Sequence, residues 1–143
     1  MSRDLSRDLI LLDREYEGET STLRSARNDV VDALGAHLSD QELQERAELV
    51  VSELATNAIQ ASPGTAYGLR VSLDGDGSVV IAVTSHTERT ELPPRSAWGP
   101  THPMALRGRG LLIVDKLTDE VDIQRSAADT LVVTATFRTA GVG

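Results

Sequence analysis

Residues 39–64 read SDQELQERAELVVSELATNAIQASPG. Within this stretch Leu43, Ala47, Val50, Leu54, Ala58 and Ala61 recur at three- and four-residue intervals, which places them on one stripe of an α-helix. The start carries its own signal. Ser39-Asp-Gln-Glu42 has the capping-box pattern, in which Ser39 accepts from a free backbone N–H and Glu42 reaches back to the cap. Pro63-Gly64 stops the helix, because proline lacks an amide donor and crowds the preceding turn. A helix of this length with one apolar face needs a surface to lie on. The fold follows from what supplies it.

Strands supply it. Leu9-Ile-Leu-Leu12, running on through Asp13 to Tyr16, reads as a first strand, and Gly18 to Ser21 as a turn. From Thr22 a first helix carries Leu23, Ala26, Val30, Ala33 or Leu34, and Leu38 at helical spacing, fraying near Gly35 to His37. After the long helix, Leu69–Leu73 and Val79–Val83 flank Asp74-Gly-Asp-Gly-Ser78, a turn-former that predicts an antiparallel hairpin. The stretch 85–107 is polar, proline-rich and aperiodic, the pattern of a lid or long functional loop. Arg107-Gly-Arg-Gly110 then leads into a short helix, and strands near 120–124 and 131–137 close the chain. Grouping the helices on one face gives an α+β fold, a two-layer α/β sandwich with a mixed, mostly antiparallel sheet.

Composition narrows the class. A chain of 143 residues forms one domain, 1–143, able to bury roughly two-thirds of its unfolded surface. Aromatics are only 3%, so the core is aliphatic, and the absence of cysteine excludes disulfides, thiolate metal sites and a cysteine nucleophile. The charged start and the lack of an 18-residue apolar run predict neither signal peptide nor membrane span, hence a cytoplasmic protein. A formal charge of −8 argues against direct nucleic-acid binding and suits a basic partner or simple solubility.

Two constellations could carry chemistry. Glu53 and Asn57 are four residues apart, with Gln60 a turn further on, so they share a face beside the apolar stripe. A carboxylate there can take a proton or orient a nucleophile, and the amide carbonyl is a hard oxygen suited to Mg²⁺. The same spacing also fits two solvent-facing polar residues. Gly108-Arg-Gly110 before a helix would let backbone N–H groups approach a phosphate, with Arg107 and Arg109 adding positive charge. An ordinary turn fits equally. Neither a Walker loop nor the three-glycine dinucleotide fingerprint is present. His37, His86 and His102 lack ligand spacing, and no Gly-x-Ser-x-Gly elbow anchors a hydrolase triad.

Taken together, these segments resemble the GHKL ATPase superfamily of gyrase, MutL and the histidine kinases, and within it the anti-sigma-factor serine/threonine kinases. Residues 49–58, LVVSELATNA, look like the family's N box. Residues 108–121, GRGLLIVDKLTDEV, look like its second glycine box, and Asp129-Thr-Leu-Val-Val133 like its closing strand. Ser25-Ala-Arg27 looks like a segment near the partner-contact surface. The resemblance implies the Bergerat ATP-binding fold, Glu53 as general base, and Asn57 coordinating Mg²⁺ on the ATP phosphates. It implies a phosphate-side wall from Arg107, Gly108, Arg109, Gly110 and Leu111, and places Thr130 near the adenine. Arg27 would contact a partner. The implied partners are a sigma factor and a STAS-domain anti-anti-sigma protein that would be phosphorylated on serine; the implied assembly is a homodimer.

One departure stands out. Where the family has Asp and then Gly after a strand like Val79–Val83, this chain has Ser85 and Thr87. Exchanging a charge-assisted bond to the adenine amino group for a hydroxyl forgoes about 1.5–3 kcal/mol. The Gly before Thr130 is likewise replaced by Ala128-Asp129. The alternative function is therefore a degenerate, non-catalytic GHKL module that regulates by protein–protein binding alone. A detached sensor-kinase domain is disfavoured, since no phospho-accepting His within a dimerisation helix is visible.

Overall fold

The computed structural model describes residues 8–86, 112–127 and 129–138. In chain order these form β1 (Leu9–Tyr16), a 3₁₀ turn (Thr20–Thr22), α1 (Leu23–Gly35), α2 (Gln41–Ala61), β2 (Tyr67–Leu73), β3 (Val79–His86), α3 (112–117), β4 (Glu120–Ala127) and β5 (Thr130–Phe137). The five strands form one sheet in the order β1-β2-β3-β5-β4. All four pairings are antiparallel, so no parallel pair is present among the described residues. Helices α1 and α2 pack together and onto the sheet, which gives the expected α+β two-layer sandwich.

Alternation along the strands decides which face is covered. On β3, Val79, Ile81, Val83 and Ser85 are buried, while Val80, Ala82 and Thr84 between them are only half-buried. Tyr67, Leu69 and Val71 of β2 and Leu131, Ala135 and Phe137 of β5 continue the buried layer. Against it α2 turns Leu43, Ala47, Val50, Val51, Leu54, Ala55, Ala58 and Ile59. The alanines keep α2 close to the sheet, and the core is mostly aliphatic but, against the expectation from composition, also buries Tyr16, Tyr67 and Phe137.

Several boundaries shift from the sequence reading for local reasons. The N-cap of α2 is Asp40, not Ser39: the Asp40 carboxylate accepts from Leu43 N at 3.1 Å, satisfying a free donor of the first turn. Strand β3 runs on through Ser85 and His86 because both pair with β5, opposite Leu131 and Thr130. Ser85 is thus a strand residue rather than the start of the loop placed at 85–107, and 87–107 lies outside the described residues. The β2–β3 hairpin closes as expected. Asp74 Oδ1 accepts from Asp76 N at 3.2 Å and Ser78 N at 3.0 Å, and Gly77 takes a positive φ of 89°.

Where α2 hands the chain to β2, two backbones touch. Gly64 N donates to Gly18 O at 2.9 Å, and a Cβ on Gly18 would stand 2.2 Å from Thr65 O. Next to this crossing, Tyr16 and Tyr67 stack with ring centroids 5.6 Å apart. Tyr16 donates to Asp29 Oδ2 at 2.6 Å, Arg14 pairs with the same carboxylate at 3.1 Å, and Tyr67 meets Thr22 Oγ1 at 2.9 Å. Burial, and then the bond to Asp29, push the Tyr16 phenol well above its ordinary value.

The sign of the resulting pH dependence follows. The folded chain holds the Tyr16 proton more tightly than the unfolded chain, so stability falls as pH rises past the ordinary tyrosine value of 10.0. Tyr16→Phe should cost about 1 kcal/mol at neutral pH through the lost hydrogen bond. It should also flatten the alkaline decline, measured by urea unfolding between about pH 8 and about pH 11.

Candidate functional site

The apolar stripe of α2 fixes the helix's rotation on the sheet, and its neighbours in sequence are carried to the flanks. With Leu54 pointing at the sheet, Asn57 falls about 60° and Glu53 about 100° round the same side of the helix. Both are half-buried. Gln60, a turn beyond, is exposed at the rim. Sequence reasoning placed Glu53 and Asn57 on one shared edge, and the structure does so.

Asn57 stands in an unusual state. Its Nδ2 is buried and has no hydrogen-bond partner among the described residues. A buried amide without a partner forgoes about 1–3 kcal/mol, so such groups are rare in folded proteins. Two other polar side chains of α2 do find partners: Thr56 Oγ1 donates to Ser52 O at 2.6 Å, and Gln44 Nε2 donates to Leu38 O at 2.9 Å.

Ser85 lies on the sheet face that α2 covers. It is 6% exposed and ends the buried row Val79, Ile81, Val83 on the face that α2 covers. Because β2 begins just after α2 ends and Gly68 of β2 pairs with Thr84, the last residues of β3 share an end of the molecule with the C-terminal turns of α2. Ser85 and Asn57 therefore belong to one corner. Thr130 does not join them. It pairs with His86, one register step from Ser85, so its side chain stands on the sheet face turned away from α2. There Thr130 Oγ1 lies 3.4 Å from His86 Nδ1 and 3.2 Å from Asp129 Oδ1.

Arg27 is half-buried on α1, directly after the fully buried Ala26. The phosphate-side candidates Arg107, Gly108, Arg109, Gly110 and Leu111 lie outside the described residues, and the helix they lead into, α3, is described from residue 112. Sequence reasoning passed over Arg46. It lies on the Glu53 edge, two turns below, and reaches α3 through a bond from Nη1 to Leu117 O at 3.4 Å. The seven-residue spacing Arg46, Glu53, Gln60 was the available signal.

Comparison with known proteins agrees with this geometry. The sequence matches the histidine kinase-like ATPase domain over residues 16–137, most of the chain. The chain belongs to that family, within the GHKL class that its N-box-like and glycine-box-like segments resemble. Among curated proteins, none matches. Among solved structures, a chain of the SiaB–SiaC complex from Pseudomonas aeruginosa superposes with a TM-score of 0.71 at 17% identity, over 93% of this chain and 92% of that one. The structure of the RsbU and RsbW domains of Rv1364c from Mycobacterium tuberculosis gives a TM-score of 0.61 at 20% identity. It covers 89% of this chain but only 32% of that one, so this chain spans about a third of that protein's length. At these identities the likeness is one of fold.

The residues fit a magnesium nucleotide on their own chemistry. The Asn57 carbonyl oxygen is a hard ligand, its unpaired Nδ2 is a donor that a phosphate oxygen would satisfy, and Glu53 is a carboxylate one turn away. No group of three or more acidic or histidine side chains converges among the described residues. A polar group kept unpaired for a ligand weakens the fold. Asn57→Leu should therefore leave stability unchanged or raise it by about 1 kcal/mol, read from the urea midpoint.

Proposed function

We propose that this chain is an ATP-dependent regulator that works by partner exchange: an anti-sigma factor that also phosphorylates a STAS-domain antagonist on serine. The observation that carries the reading is the buried, partnerless Nδ2 of Asn57 one turn from Glu53, in a chain of the histidine kinase-like ATPase family. Asn57 would hold Mg²⁺ and the ATP phosphates. Glu53 would accept the proton of the attacking serine hydroxyl as the phosphoryl group leaves ADP. Gly108 and Gly110, with Arg107, Arg109 and Leu111, would line the phosphate side. In phosphoryl transfer the protein's share is mostly positioning and charge compensation, which few groups can supply.

Partner binding is supported by kind rather than by identity. One similar structure is a two-protein complex, SiaB with SiaC, and the other joins RsbU and RsbW domains in one chain. The sigma factor, the STAS protein, a homodimer and an Arg27 contact follow from the family resemblance. The acidic charge of −8 favours a basic partner surface. Among the described residues no helix is long and apolar enough to cross a membrane.

A second reading has its own observation. Ser85 puts a neutral hydroxyl where the family's adenine-reading carboxylate is expected. A non-catalytic module that binds partners with little or no ATP would tolerate that exchange.

Calorimetry and a phosphotransfer assay separate the two. The kinase reading expects Mg-dependent ATP binding that Asn57→Ala weakens at least about tenfold. It also expects Glu53→Gln to bind ATP yet transfer phosphate to the STAS partner at least about a hundredfold more slowly. Absence of wild-type transfer at millimolar ATP would leave only the binding module.

A further inference from the structure

Four residues of α2 step round the helix toward the site. Glu45, Leu49, Glu53 and Asn57 are each one turn apart, and every step of four residues rotates about 40° and rises about 6 Å. Exposure follows the rotation. Glu45 and Leu49 are exposed, Glu53 is half-buried, and Asn57 is half-buried with its Nδ2 fully covered. The series runs from the solvent crest of α2 down toward the sheet, and Leu49 stands on the open side of Glu53.

Leu49 is the exception among the large apolar residues of its helix. Leu43, Val50, Val51, Leu54 and Ile59 are buried, whereas Leu49 is 54% exposed and adds nothing to the core. A single leucine on a surface is ordinary. This one is out of line with the apolar stripe and in line with Glu53.

Carboxylates surround it. Glu45 lies one turn before Leu49, Glu53 one turn after, and Glu42 is exposed on the same crest. None of the three is in an ion pair among the described residues. The one cation of α2, Arg46, is turned to Leu117 O instead. An apolar side chain ringed by unpaired charges of one sign has the make-up of half a protein interface, an apolar centre within a rim that selects its counterpart by charge. Glu53 is flanked by the covered end of the series on one side and by Leu49 on the other. A hydroxyl carried in by another protein therefore arrives across Leu49.

We propose that this turn of α2 is the docking site of the protein substrate: Leu49 enters an apolar hollow beside the acceptor serine, and Lys or Arg side chains at the mouth of that hollow meet Glu42 and Glu45. Leu49 touches no reacting atom; it selects which hydroxyl is presented to Glu53. The proposal deepens the proposed function and rests on it for the phosphoryl transfer, while the surface itself can be tested by binding.

The test is phosphotransfer kinetics on the full chain with Mg-ATP and the STAS-domain protein as substrate. Leu49→Gln keeps a good helix former and adds no charge beside Glu53. It should raise KM for the protein substrate by about tenfold while kcat and the affinity for Mg-ATP stay unchanged. Leu49→Met, which keeps the apolar volume, should remain within about twofold of wild type. Glu45→Lys should raise KM by a factor that shrinks as salt is added. The thermal midpoint should hold in all three variants, since both positions are exposed. Wild-type KM in Leu49→Gln would overturn the proposal, as would a fall in kcat alone. A changed oligomeric mass with KM unmoved would overturn it too, and give the face to a second copy of the chain. If the wild type transfers no phosphate, the kinase reading has failed, and calorimetry with the same STAS-domain protein decides the surface. About tenfold weaker binding by Leu49→Gln supports it; equal affinity, or no complex with the wild type, overturns it.

Discussion

The contact between α2 and the central strand β3 is what the other features hang from. Val79, Ile81 and Val83 present a buried row, and Leu43, Ala47, Val50, Leu54 and Ala58 meet it from the helix. Turning α2 by one residue would swing each side chain by about 100° and expose part of that stripe. The apolar seam therefore fixes the rotation of α2 closely, and with it every residue on the helix's flanks. Glu53, Asn57 and Arg46 need no device of their own to aim them. They are placed by a contact in which none of them takes part.

Polar groups in this fold are treated in two ways. Around Tyr16 and Tyr67 the accounting is complete: each phenol has a partner, Asp29 is shared with Arg14, and Thr22 Oγ1 also lies 2.9 Å from Glu17 O and 2.8 Å from Glu19 O. That network joins β1, α1 and β2 at the crossing of Gly18 with Thr65. On the exposed-edge flank of α2 the accounting is left open, at Asn57 Nδ2 and Arg46 Nε. Both are on the flank of the helix that also carries Glu53, and both are exceptions to the usual pairing of buried polar groups.

What could be read from sequence follows the range of the interactions involved. The stripe and end of α2 are local, so the helix, its facing and the Glu53–Asn57 edge were legible in residues 39–64. Its cap was displaced by one residue because Ser39 and Asp40 are both good caps, and only the backbone geometry selects Asp40. The length of β3 was not legible, since Ser85 and His86 are held in the strand by β5, more than forty residues away in the chain. Register hid the placement of Thr130 for the same reason. Its motif suggested a place near a base, while the pairing with His86 turns its side chain to the far face of the sheet. Arg46 was concealed differently: its spacing from Glu53 marks the shared edge, but nothing local shows that it reaches the Leu117 carbonyl.

The central claim is that the Asn57 side-chain amide is held open for a magnesium nucleotide. It is tested most directly by following the Asn57 Nδ2 proton resonances by ¹H–¹⁵N NMR, assigned through Asn57→Asp, as Mg-ATP is added. The account predicts that these two resonances shift strongly and saturate with the bound fraction, and that ATP with EDTA in place of Mg²⁺ moves them much less. Saturable binding that leaves the Asn57 amide unmoved, or no movement at millimolar Mg-ATP, would contradict it.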